Sequence, residues 1–113
     1  MNNLSPQLQN QVVQFQQIQQ QLQSVSSQKV QMDAQKKEVE RTLEELEKAK
    51  GDVFRSVGSL LIKVDDKEAL KTELTDAAET IDIRVKALDR QEKTLREKYQ
   101  SLQETINKAM GQQ

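Results

Sequence analysis

The feature that most constrains this chain is a spacing. From residue 8 onward, one stripe of positions recurs at alternating steps of three and four: 8, 11, 15, 18, 22, 25, 29, 32, 36, 39, 43 and 46. Leu8, Phe15, Ile18, Leu22, Val25, Met32, Val39, Leu43 and Leu46 make it apolar, and Gln11, Lys29 and Lys36 interrupt it. Only an α-helix gathers that spacing onto one face, and a stripe this narrow is the seam of a coiled coil. A second seam follows: Leu70, Leu74, Ala77, Ile81, Val85, Leu88, Glu92, Leu95, Tyr99, Leu102, Ile106 and Ala109. Its consecutive steps of four, Ala77 to Ile81 to Val85, form a stutter that locally unwinds a supercoil.

Boundary signals agree with the seams. Ser5-Pro6 reads as an N-cap followed by a proline in the first turn, where its missing N–H costs nothing. Gly51-Asp52 ends the first helix, and Asp65 with Glu68 has the spacing of a capping box that starts the second. The expectation is one domain over 1–113, with a helix over 6–50 and another over 66–110. A helix from Pro6 to Ala49 would be roughly 65 Å long. Two seams of similar length joined by a short connection should pair antiparallel, with partner numbers adding to about 120. Under that rule Leu46 faces Leu74, Val39 faces Ile81, Val25 faces Leu95 and Phe15 faces Ile106. Lys29 then meets Glu92, the one acidic residue of the second seam. Such a pair fixes alignment more than it adds net stability, because desolvation offsets much of the attraction.

The connection, Val53 to Val64, is a β-hairpin in composition. β-branched, aromatic and aliphatic residues flank Gly58-Ser59, which suits a type II′ turn. The turn pairs Val57 with Leu60, Arg55 with Ile62 and Val53 with Val64, so one face carries five apolar residues and one arginine. Phe54 and Leu61 share the other face with Ser56 and Lys63. A lone two-stranded hairpin is marginal in water, and its edges expose unpaired N–H and C=O groups. Oligomerisation through Val53, Phe54, Val57, Gly58, Leu60, Leu61, Ile62 and Val64 is the expected remedy.

Composition closes several functional classes. Only 35% of the chain is hydrophobic and 3% aromatic, too little for a globular core, and 31% is charged. Histidine and cysteine are absent, which removes the commonest general base, nucleophile and metal ligands. Carboxylates such as Glu44, Glu45, Glu47, Asp65 and Asp66 read as solvated helix surface or caps, and no glycine-rich loop ends in Gly-Lys-Ser or Gly-Lys-Thr. The expectation is therefore no enzyme, no metal and no cofactor. Seventeen basic residues against eighteen acidic ones, interleaved at helical spacing, argue against nucleic acid. No apolar run approaches a membrane span and no signal peptide is evident, so a soluble cytoplasmic protein is expected.

One asymmetry remains. Residues 1–28 carry no charge: eleven glutamines and three asparagines are interspersed with Leu4, Leu8, Val12, Val13, Phe15, Ile18, Leu22 and Val25. In the antiparallel register they lie beside Tyr99, Ile106 and Met110 at the open helix ends. Leu4, Val12, Val13 and Met110 fall off the seam or beyond it. Exposed apolar surface of that kind marks an interaction site, whereas the structural alternative is a frayed glutamine-rich terminus.

Helix, hairpin, helix, with Val53-Phe54-Arg55-Ser56-Val57-Gly58 followed by Leu60-Leu61-Ile62-Lys63-Val64, closely resembles the β class of prefoldin subunits. Leu88-Asp89-Arg90-Gln91-Glu92 is similar to that family's Leu-x-x-Gln-Glu, and the glutamine-rich first helix fits it too. Phe54 and Arg55 stand where tyrosine and lysine are commoner. About fifteen residues separate the helices, enough for one hairpin, where the α class has two. The resemblance implies an archaeal-type, ATP-independent chaperone in which two α-class and four β-class subunits join their hairpins into β-barrels. The fold class is then mainly α, a long antiparallel two-helix coiled coil with one central hairpin. Its tips, through Leu4, Leu8, Val12, Val13, Phe15, Ile106 and Met110, would hold non-native polypeptides for a group II chaperonin. The alternative is a structural coiled-coil oligomerisation module that binds no client.

Overall fold

The structure is a computed structural model that describes residues 4–111. Four elements follow one another: helix α1 over Pro6–Lys48, strand β1 over Phe54–Val57, strand β2 over Leu60–Lys63 and helix α2 over Lys67–Gly111. The Ser5 hydroxyl accepts from the Leu8 amide at 3.1 Å, and the Ser5 carbonyl accepts from Gln9 at 2.9 Å. Serine is thus the N-cap and Pro6 the first helical residue. The exit differs from expectation by two residues. The Ala49 amide bonds to Leu46, three back rather than four, which tightens the final turn, and the helix stops at Lys48.

The start of α2 also differs. Asp66, not Asp65, is the cap: its Oδ1 accepts from the Ala69 amide at 3.0 Å, and the Leu70 amide bonds to the Asp66 carbonyl at 3.2 Å. Asp65 with Glu68 has the right spacing for a capping box, but the neighbouring aspartate offers the same chemistry one residue later. The chain leaves β2 through Val64, whose amide bonds to Val53 at 2.8 Å, and that places Asp66 at the helix entrance.

The chain divides into two compact units, one of residues 1–30 with 86–113 and one of residues 31–85. In the first, α1 and α2 segments pair antiparallel: Phe15 stacks on Tyr99 with ring centroids 4.5 Å apart, and Lys29 reaches Asp89 at 2.7 Å and Glu92 at 3.2 Å. Val25 and Leu95 are buried here, as is Leu8. The Phe15 ring reaches Tyr99, one heptad nearer the start of α2 than Ile106, a contact the register rule does not name. An offset stack of two long aromatic side chains favours that choice. Lys29 has two acidic partners rather than one, because Asp89 lies one turn from Glu92 and flanks the seam.

In the second unit Lys36 pairs with Asp82 at 2.8 Å and Lys71 with Glu47 at 2.9 Å. Eleven residues forward on α1 are answered by eleven back on α2, so these segments are antiparallel at equal rise. The stutter has a visible effect. Ala77 and Ile81 are half-buried as seam residues, and Ala78 and Asp82 beside them are half-buried as well. Unwinding turns a wider strip of α2 inward, which brings a carboxylate to Lys36, a seam residue the even heptad leaves without an acid.

These pairs set a pH dependence. Hydrogen bonds donated to Asp89 and then Glu92 raise the Lys29 ammonium, one donated to Asp82 raises Lys36 and one donated to Glu47 raises Lys71, all above the ordinary lysine value of 10.5. The Lys71 hydrogen bond lowers Glu47 below the ordinary 4.5. A lowered carboxylate stabilises above its unfolded value and loses that contribution as pH falls through the lowered one. A raised lysine does the reverse at alkaline pH. Thermal unfolding should therefore be flat between about pH 5 and 10 and fall outside that window, as melts followed by circular dichroism would show. At the seam, Lys29→Met should lower Tm because Glu92, with only 17% of its side chain exposed, then faces a methionine. Lys29→Met with Glu92→Leu should match or exceed the parent Tm. Asp66→Ala should cost about 1 kcal/mol in denaturant unfolding through loss of the cap.

Candidate functional site

Two surfaces gather the residues singled out by sequence. The first is the hairpin. Phe54 pairs with Lys63, Arg55 with Ile62, Ser56 with Leu61 and Val57 with Leu60. Gly58 has φ +59°, and among the described residues no other takes a positive φ. Ser59 is thus in the ordinary region, as a type II′ turn needs and a type I′ turn forbids.

Every strand residue is exposed, and the apolar ones strongly so: Phe54 by 55%, Val57 by 50%, Leu60 by 63%, Leu61 by 75% and Ile62 by 45%. Val53 and Val64, where the strands meet the helices, are half-buried. The two faces are not equivalent. Arg55 reaches Glu73 on α2 through its two terminal guanidinium nitrogens, at 3.3 and 3.5 Å, and so ties its face toward the helix. A half-open hollow of about 360 Å³ separates β1 from the helices, with Leu46, Ala49, Val53, Phe54, Leu70 and Leu74 on its walls. Lys67 donates to the Gly51 carbonyl and braces the entry to the hairpin. Leu61, on the face opposite Arg55, is the most exposed of the large apolar residues described. The Arg55 partner was not legible in advance, since eighteen residues separate it from Glu73 and only the fold brings them together.

The second surface lies in the unit that contains the start of α1 and the end of α2. Leu8 is 5% exposed and committed to packing, and Phe15 is half-buried against Tyr99. Ile106 is half-buried too. Leu4 and Val12, expected off the seam, are also half-buried. Leu4 stands four residues before Leu8 and continues the alternation of steps, and Val12 flanks Gln11 on the same side. Val13 and Met110 remain open at 50% and 52%. Val30, on the outer side of α1, is 67% exposed and belonged to no sequence pattern.

Neither surface holds a chemical apparatus. Among the described residues no group of three acidic side chains could hold a metal ion, and no helix is long and apolar enough to cross a membrane. What the surfaces offer is apolar area, backbone edges and neutral amides.

A family model described as Prefoldin subunit matches residues 9–113. The chain is 56% identical over 110 residues to prefoldin subunit beta of Methanococcus vannielii, with 96% of each chain covered. It is 44% identical over 110 residues to prefoldin subunit beta of Methanosarcina barkeri, covering 96% of this chain and 93% of that one. Among solved structures, the prefoldin beta subunit from Thermococcus strain KS-1 superposes with a TM-score of 0.84 at 37% identity, over 96% of both chains. Sequence, element order and backbone therefore agree, and this chain belongs to the prefoldin subunit family, on its β side.

Proposed function

We propose that this chain is a subunit of an ATP-independent holding chaperone: it joins a hetero-oligomer through its hairpin and holds non-native polypeptides at its helix ends. The observation that carries this reading is the hairpin, whose eight strand residues are all exposed and include five large apolar side chains. Apolar surface of that extent beside unpaired strand edges calls for another sheet, and other hairpins supply one of matching geometry. The proposed partner is an α-class subunit, in a ratio of two α to four β, as the resemblance to the β class implies. The group II chaperonin is the proposed recipient of clients, and the cytoplasm the proposed compartment.

Client holding rests on the helix ends. Val13 and Met110 are open, and Leu4, Val12, Phe15 and Ile106 are covered only in part. Methionine adapts to varied shapes, and an uncharged α1 segment imposes no sign of charge on an apolar client. Several such ends in one assembly would retain a chain that one end releases, because each further contact is made at high effective concentration. Holding a polypeptide in this way needs no catalytic step.

Ile62→Asp should reduce the assembled mass to that of isolated chains in light scattering, with helical circular dichroism unchanged. An assembly of unaltered mass would remove the hairpin from the interface. Deleting residues 1–12 and 107–113 should abolish suppression of aggregation of a denatured test protein while the oligomer persists. Full protection by the shortened protein would favour the structural module instead.

A further inference from the structure

Along one flank of the first unit runs an open groove of about 430 Å³, lined on α1 by Gln14, Gln17 and Gln21 and on α2 by Lys98 and Ser101, with the half-buried seam residues Ile18 and Leu102 also lining it. We propose that this groove docks extended polypeptide segments rich in Asp and Glu, so that it both enlarges the client surface and biases it by charge. The inference rests on the holding reading above.

Three observations carry it. First, the glutamines stand at i, i+3 and i+7 on one side of α1, and among the described residues none is hydrogen-bonded to their side-chain amides. Each amide both donates and accepts, so together they match the C=O and N–H groups of any extended backbone, whatever its sequence. Seven helical residues rise about 10.5 Å, close to three residues of extended chain. Second, Ile18 and Leu102 give a client apolar side chain somewhere to rest between the polar walls.

Third, the charge is one-sided. The unit holds seven basic residues (Lys29, Lys86, Arg90, Lys93, Arg96, Lys98, Lys108) against four acidic ones (Asp89, Glu92, Glu97, Glu104), a formal excess of three. Asp89 and Glu92 are already engaged by Lys29, and Glu92 by Arg96 as well. These pairs withdraw two residues of each sign and leave the excess of three in place. Lys98 forms the groove wall, and a carboxylate of the docked segment is its complement. A basic client segment would meet repulsion there.

The test uses the full-length assembled protein and two labelled, unstructured peptides of equal length and apolar content, one bearing Asp and Glu, the other Lys. Fluorescence anisotropy should show the acidic peptide binding more tightly by roughly fivefold, with the difference shrinking as salt is raised. Lys98→Glu should remove or invert the preference. Arg90→Glu, which changes net charge equally but lies outside the groove, should leave most of it. Equal affinity for both peptides, no effect of Lys98→Glu, or an equal effect of Arg90→Glu would each overturn the groove assignment. Suppression of aggregation is measured on the same preparations. Protection that persists without a charge preference overturns this inference alone, and a parent protein that neither protects nor binds either peptide overturns the holding reading with it.

Discussion

A seam shared by only two helices can be covered from one side, and most of what this molecule does follows from that limit. A globular core surrounds its side chains, but a two-helix seam leaves each knob partly in water. Among the described residues just three apolar side chains, Leu8, Val25 and Leu95, are buried, and the rest of both seams is half-buried. Stability is thus spread over many modest contacts, and no single position within either unit commands it.

The same limit explains the charged residues in the seam. Lys29 and Lys36 can be tolerated because neither is fully withdrawn from water and each has a carboxylate at hydrogen-bond distance. In a dry core such pairs would cost more than they return. At partial exposure they are close to neutral in energy and still discriminate between registers, since a slip of one heptad would move Lys29 from Glu92 to Tyr99 or Val85. The hairpin carries the limit further. Four-residue strands exposed on both faces draw little stability from their own contacts, which is why the proposed function gives them a partner sheet.

Much of this was readable in advance, and the misses share a cause. Every position of the two seams emerged buried or half-buried, and Gly58 with Ser59 set the strand pairing. The errors were local choices between near-equal options. Asp66 capped α2 where Asp65 could have, and the Phe15 ring stacked on Tyr99, a contact the register rule did not name. Asp82 answered Lys36 because the stutter turned it inward, a consequence present in the spacing but visible only once side chains have depth. The groove flanked by Gln14, Gln17 and Gln21 left no mark in hydrophobic periodicity, since it is made of polar residues from two distant segments.

The sequence by itself determined the helices and the hairpin, because periodicity and turn chemistry act over a few neighbours. Tertiary structure alone decided which lysine met which carboxylate, which face of the hairpin Arg55 tethered to Glu73, and which apolar residues near the helix ends stayed open. Those outcomes depend on groups brought together from 18 to 63 residues apart. At that separation a spacing rule predicts neighbourhoods, and only the packed geometry selects the partner.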